Sequence, residues 1–161
     1  MSCPATPLLH LVLVEPEIPG NSGNIGRLCA AAGVRLHFVG PLGFDLSDKA
    51  VKRAGLDYWP HLDWRTWPDL DALRAEAAPG ANWFFFTTKV LRPHTAARYR
   101  AGDYLVFGRE SKGLPSSLLE AHASGCVTIP MRNPAVRSLN LATSAGIGLY
   151  EALRQIEGWQ G

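Results

Sequence analysis

Three segments of this 161-residue chain set glycines beside charged, amide or hydroxyl side chains, the groups that bind anions, orient a polar ligand or move a proton. The first runs Glu15-Pro16-Glu17-Ile18-Pro19-Gly20-Asn21-Ser22-Gly23-Asn24-Ile25-Gly26-Arg27. Its glycines let backbone approach a ligand, and a helix start nearby would turn unpaired N–H groups toward an anion. Gly20, Gly23 and Gly26 are evenly spaced, so the segment does not carry the G-x-G-x-x-G dinucleotide fingerprint. Asn24 reads as the N-cap of a helix or as an amide that orients a ligand. Arg27 falls in the first turns of that expected helix, where the macrodipole disfavours a cation, and so calls for an anion: a ligand, or a salt bridge with Glu15 or Glu110.

The second segment, Gly108-Arg109-Glu110-Ser111-Lys112-Gly113-Leu114-Pro115, leaves an apolar run through a glycine into charged residues. The third, Ile129 to Tyr150, passes through the proline-bracketed Pro130-Met131-Arg132-Asn133-Pro134 into a helix of small residues. Apolar side chains at Leu141, Ala145, Leu149, Leu153 and Ile156 mark one face of that helix. Ala142, Ser144, Gly146 and Gly148 beside it imply that a ligand or another piece of chain comes close, or that the helix is simply tightly packed.

The elements that must hold these segments alternate. Apolar runs at Leu8 to Val14, Leu36 to Val39, Trp83 to Thr87, Tyr104 to Phe107 and Val127 to Ile129 read as buried strands. Helices are expected over Asn24 to Ala32 ending at Gly33, Leu70 to Ala78, Ser116 to Ala123, and from about Asn140 onward. The stretch Leu46 to Trp67 is the least legible, with a helix expected around Asp48 to Ala54. Strands without a period of two, alternating with helices, imply an α/β fold: a parallel sheet flanked by helices on both faces. All three segments then follow strand ends, where such sheets bind ligands.

Composition narrows the class. The length and the 47% hydrophobic content suit a single domain over residues 1–161 with one proper core. A formal net charge of +2 permits a polyanion as partner without demanding one. Cys3, Cys29 and Cys126 are odd in number and far apart, which gives neither a disulfide framework nor a zinc pair and favours a reducing compartment. No metal is expected. Leu8 to Val14 is too short to span a bilayer, and the expectation is a cytoplasmic protein with no membrane partner.

Together, PEIPGNSGNIGRLCA, LVFGRESKGLP and IPM…VRSLNLATSAGIGLYEA resemble, in order and spacing, the three motifs of the SPOUT-class RNA ribose 2′-O-methyltransferases. The near-minimal length is similar to the compact subfamily that methylates the wobble cytidine or uridine of tRNA. The resemblance spans essentially the whole chain. It implies a C-terminal deep trefoil knot, which topology rules alone would not predict, a homodimer, and tRNA as partner. It also implies S-adenosylmethionine as methyl donor, held by Phe86, Thr87, Gly108, Ile129, Pro130, Met131, Ser138 and Leu139. Arg27 would stand beside the ribose hydroxyl, as base or as a grip on the adjacent phosphate. Asn24, Glu110, Ser138 and Asn140 would orient ribose and donor, and Lys89, Arg109 and Arg137 would meet RNA phosphates. Gly20, where relatives often carry proline, together with Arg109 and Lys112, leaves another tRNA or rRNA site open. A nucleotide-dependent α/β enzyme and a non-catalytic RNA-binding module are the competing readings.

Overall fold

Short apolar runs flanked by turn residues form a six-stranded, all-parallel sheet in the computed structural model, which describes residues 6–47, 49, 53 and 57–159. In chain order the elements are β1 (His10–Val14), α1 (Pro19–Ala32), β2 (Arg35–Val39), β3 (Trp64–Trp67), α2 (Leu70–Glu76) and β4 (Trp83–Phe86). They continue with β5 (Tyr104–Phe107), α3 (Ser116–Ala121), β6 (Cys126–Val127) and α4 (Leu141–Glu157). The strand order is β3-β2-β1-β5-β4-β6. Both faces of the sheet are covered, which is why its strands show no polar alternation. Leu11, Leu13, Leu36, Phe38, Leu105 and Phe107 point toward α1 and α4, where Ile25, Cys29, Ala145 and Leu149 meet them. Val12, Val14, Val39 and Val106 point the other way, toward Leu73 of α2 and Leu119 of α3. Each fully buried leucine or phenylalanine here contributes about 1.5–3 kcal/mol of apolar burial.

The expected strands and helices are present, with shifted ends. The run from Leu8 becomes a strand only at His10, and the last strand is Cys126–Val127, not Val127 to Ile129. It stops there because Thr128 turns to the segment after β4, its N–H donating to Arg92 O at 2.8 Å while His94 N–H donates to Thr128 O at 2.7 Å. β3 was not expected; its Trp64-Arg65-Thr66-Trp67 is a half-exposed edge strand in the illegible stretch. The helix expected around Asp48 to Ala54 lies largely outside the described residues. Helix α1 begins at Pro19, not Asn24, and ends as expected at Gly33, whose φ of 69° suits glycine. Asn24 is therefore inside the helix and caps nothing. Helix α4 is capped by Asn140, whose side chain accepts from Thr143 N–H at 3.2 Å. Of the apolar face of α4, Leu141, Ala145, Leu149 and Leu153 are buried and Ile156 is half-buried. Gly148 explains one of its small residues: a Cβ there would come within 2.9 Å of the Phe86 ring, so the helix seats on the stacked rings of Phe86 and Phe107.

A polar seam crosses the sheet on the α2–α3 face. His10 and His37 are 7% and 2% exposed, and the rings are joined Nδ1 to Nε2 at 2.8 Å. Trp67 fixes the tautomers. Its indole N–H donates to His37 Nδ1 at 3.0 Å, so neutral His37 carries its proton on Nε2 and donates it to His10. His10 also stacks on Tyr104 at 4.0 Å, and Tyr104 on Trp83 at 4.0 Å. Burial pushes His10 down to about 4 and His37 down to about 3, with the Arg35 guanidinium adding to both.

Candidate functional site

The carboxyl ends of β4, β5 and β6 open onto one cavity of about 380 Å³, a size suited to a small organic ligand. Each wall is a segment that leaves a strand: Phe86 to Lys89 after β4, Phe107 to Gly113 after β5, and Thr128, Ile129 and Met131 after β6. Arg137 to Leu141 and Ser144, leading into α4, close the fourth side. The lining divides by chemistry. Phe86, Phe107, Ile129, Met131, Leu139 and Leu141 offer apolar surface, Thr87, Ser138 and Asn140 offer hydroxyl and amide groups, and Lys89, Glu110, Lys112 and Arg137 offer charge. That mixture fits a ligand with a flat apolar base, a sugar and a charged end, as S-adenosylmethionine has.

Of the residues expected to hold a methyl donor, Phe86, Thr87, Gly108, Ile129, Met131, Ser138 and Leu139 line the cavity; Pro130 does not. Glu110 and Asn140 also line it, as do Lys89, Arg109 and Arg137. Asn24 and Arg27 lie outside it, on the exposed side of α1. Gly108 has a reason of its own. A Cβ there would sit 2.2 Å from Gly113 C and 2.3 Å from Leu114 N, because the 109–113 turn folds straight back over it. The backbone of its own loop therefore requires a glycine here, beside its place in the cavity lining.

The first and second loops are laced together by charge. Glu15 stands at φ 52°, a left-handed conformation that strains a non-glycine residue, and turns the chain sharply off β1. Its carboxylate accepts from Arg109 Nη2 at 2.9 Å. Glu17 Oε1 accepts from Ser111 N–H at 3.0 Å and from its hydroxyl at 2.6 Å, which holds the Glu17 carboxyl below its ordinary range. Glu110 reaches back the other way, accepting from Glu17 N–H at 2.8 Å and Ile18 N–H at 3.3 Å. A carboxylate from the second loop therefore caps α1, whose own Ile18 supplies no side-chain cap.

This lacing corrects two readings of Arg27. The helix starts earlier than expected, so Arg27 is well past its first turn and the dipole argument lapses. Nor does it pair with Glu15 or Glu110, whose partners are Arg109 and the α1 backbone. Its guanidinium lies over the Tyr58 ring, 4.5 Å from the centroid. Tyr58 is held there by the turn 59–61, since Trp59 wedges against Gly26, where a Cβ would come within 2.9 Å of its ring.

Sequence reasoning passed over Asn21, whose side-chain oxygen accepts from Asn140 Nδ2 at 3.1 Å and ties α1 to the start of α4. It passed over Glu17 too. Two acids bracketing Pro16, just ahead of a glycine-rich segment, were the available signal. Among the described residues, no group of three or more histidine, cysteine or acidic side chains is arranged to hold a metal ion. Cys29 and Cys126 are free thiols, buried, with burial pushing both thiols up.

Comparison with known proteins places this geometry. The chain is 46% identical over 150 residues to the tRNA (cytidine(34)-2′-O)-methyltransferase of Aeromonas hydrophila, covering 92% of this chain and 95% of that one. It superposes at a TM-score of 0.90, with 48% identity and coverage of 95% and 99%, on a structure solved to give insight into 2-OH methylation of C/U34 on tRNA. An AdoMet-bound rRNA methyltransferase from Sinorhizobium meliloti matches at a TM-score of 0.80 and 28% identity, covering 91% of this chain and 56% of that one. A cavity walled by the second and third motif segments, together with the segment after β4, agrees with such a likeness. With residues 8–150 also matching the family model, the chain belongs to the SpoU rRNA Methylase family.

Proposed function

We propose that this protein transfers the methyl group of S-adenosylmethionine to the ribose 2′-hydroxyl of the wobble nucleotide of tRNA, cytidine or a modified uridine. The observation that carries the reading is the convergence of the segments after β4, β5 and β6 on a single cavity whose lining has the apolar, hydroxyl and charged groups such a donor needs. Identity of 46% to a tRNA (cytidine(34)-2′-O)-methyltransferase over nearly the full length of both chains supports the choice of substrate.

When bound, the donor supplies an electrophilic methyl on a sulfonium that departs as a neutral thioether, so the chain must align two reactants and see one proton removed. Phe86, Phe107, Ile129, Met131, Leu139 and Leu141 hold the apolar part of the donor. Thr87, Ser138 and Asn140 orient its sugar and the attacking hydroxyl. A guanidinium offers donors and no lone pair, so Arg27 is assigned to the phosphate beside that hydroxyl, where it also stabilises the developing alkoxide. The proton leaves through Ser138 or water. Glu110 serves chiefly as the cap of α1, and Asn24 orients ribose from the same helix. Lys89 and Arg137 meet phosphates, whereas Arg109 acts through its pair with Glu15.

Arg27 lies outside the cavity of its own protomer, and this supports a homodimer in which one copy's α1 completes the site of another. Exposed apolar side chains at Ile18, Val136, Ile147 and Tyr150 support an interface of that kind. The trefoil knot belongs to the same reading: the isolated backbone bridge between Pro93 and Thr128 and the return of α4 onto α1 are consistent with a threaded C-terminus in one domain. No described helix is long and apolar enough to cross a membrane, and a tRNA substrate suits the cytoplasm. Incubation with total tRNA and labelled S-adenosylmethionine, followed by mapping of the labelled nucleoside, tests the proposal. Label on the 2′-oxygen of nucleotide 34 is expected; label on a base, or only in rRNA, overturns it.

A further inference from the structure

The tip of the second loop has little to hold it from within. Between the paired backbones of Arg109 and Gly113, Ser111 and Lys112 are exposed, and Gly113 stands at φ 65°. Yet Glu110, Ser111 and Lys112 wall the cavity, so the cavity's shape depends on what fixes this tip from outside. The external tie is Glu17. One of its oxygens takes both the N–H and the hydroxyl of Ser111, at 3.0 and 2.6 Å. Its own N–H is taken in return by Glu110 at 2.8 Å. Glu17 itself touches no part of the cavity. Its main chain is in turn boxed by the following loop, since Gly43 N–H donates to Pro16 O at 3.3 Å and a Cβ on Gly43 would come within 3.3 Å of Glu17 Cα. An acid outside the cavity, on a backbone braced by Gly43, thus grips a residue that lines it.

We propose that Glu17 is a positioning residue for the methyl donor: through Ser111 it fixes the 109–113 wall of the cavity to the start of α1, the helix that carries Arg27. The proposal rests on the reading of the cavity as the donor pocket. It assigns the first loop a part in donor affinity that its distance from the cavity conceals, and it makes the donor wall and the RNA-facing helix one mechanical unit.

The test is calorimetric binding of S-adenosylhomocysteine to the full chain and to Glu17→Ala, Ser111→Ala and the double variant, with melting temperatures and tRNA methylation kinetics alongside. Charge-assisted hydrogen bonds to a solvent-exposed loop predict a loss of about tenfold in affinity for Glu17→Ala, matched by a rise in KM for S-adenosylmethionine. Ser111→Ala loses less, because its backbone N–H bond to Glu17 survives. The double variant is no worse than Glu17→Ala, and Glu17→Gln, which still offers an oxygen to Ser111, recovers most of the affinity. A merely destabilising effect would lower the melting temperature and leave the affinity of the folded protein alone. Unchanged affinity in Glu17→Ala, or losses that add in the double variant, overturns the proposal. Wild-type protein that fails to bind S-adenosylhomocysteine overturns the donor-pocket reading itself and this proposal with it.

Discussion

The joined histidines on the far face of the sheet make a prediction that is independent of catalysis. In the unfolded chain His10 and His37 titrate near the ordinary value of about 6.5, whereas in the folded protein burial holds them down to about 4 and about 3. Folded values below unfolded ones mean that the unfolded chain binds more protons as pH falls. Stability is therefore full above about pH 7.5, declines as pH drops through 6.5, and goes on declining until the folded values are reached. At pH 5 both folded imidazoles are still mostly neutral, so the loss is set by the unfolded chain: about 2 kcal/mol for each, about 4 kcal/mol together. For a chain of this length that is a fall of roughly 8–16 °C in melting temperature between pH 7.5 and pH 5. The acids with depressed titration, Glu17 and Glu151, contribute mainly below this window. The assay is calorimetric melting across the range for wild type and for the His10→Phe, His37→Phe double variant. The variant leaves the Trp67 N–H without its acceptor, a pH-independent loss of about 1–3 kcal/mol, and should flatten most of the slope. A wild-type melting temperature that stays level from pH 7.5 to 5, or a double variant that keeps the full slope, refutes the reasoning.

Three perturbations bear on the site. Gly108→Ala drives a Cβ into the backbone of Gly113 and Leu114; it should destabilise the fold by about 1–3 kcal/mol and displace the cavity wall, read as a lower melting temperature and weaker S-adenosylhomocysteine binding. Glu110→Ala uncaps α1 and should lower stability by about 1 kcal/mol in denaturant melts. If Glu110 were the base, Glu110→Gln would remove nearly all of kcat; as a cap, whose amide oxygen can still accept from the Glu17 and Ile18 N–H groups, it should leave kcat within a few-fold of wild type. Arg27→Ala should reduce kcat at least about a hundredfold, the scale of one lost charge-stabilising donor, while S-adenosylhomocysteine affinity stays at the wild-type value because Arg27 lies outside the cavity.

How legible the site was in the sequence depended on whether a residue's partner is near it in the chain. The α4 face, the Gly33 terminus and the start of α4 near Asn140 are set within a few residues, and periodicity and helix-end rules found them. The start of α1 could not be found that way. Its cap is Glu110, more than ninety residues downstream, and the local candidate, Asn24, turned out to be helix interior. The misplaced start carried a second misreading, because the apparent anomaly of Arg27 near a positive helix end vanished once that end moved to Pro19. Strand β3 was hidden for another reason: as an edge strand it is half-buried, and a four-residue Trp-Arg-Thr-Trp run offers neither a buried apolar block nor a clear alternation.

The same cross-links decide how charge is arranged around the site of a chain whose net charge is only +2. Averaged over the sequence, acids nearly cancel bases, and three of the acids lie in the very loops expected to face RNA. The structure engages those three with partners across the two loops. Glu15 is matched by Arg109, Glu17 by the N–H and hydroxyl of Ser111, and Glu110 by the positive end of α1. Only Glu15 meets a full positive charge; neutral N–H and O–H groups stabilise the Glu17 and Glu110 carboxylates without cancelling their charge. Around the same rim Lys89, Lys112 and Arg137 line the cavity, and Arg132 is exposed on the loop beside them. The acids hold the two loops to each other, while Lys89, Lys112 and Arg137 stand at the rim of the cavity proposed to meet RNA.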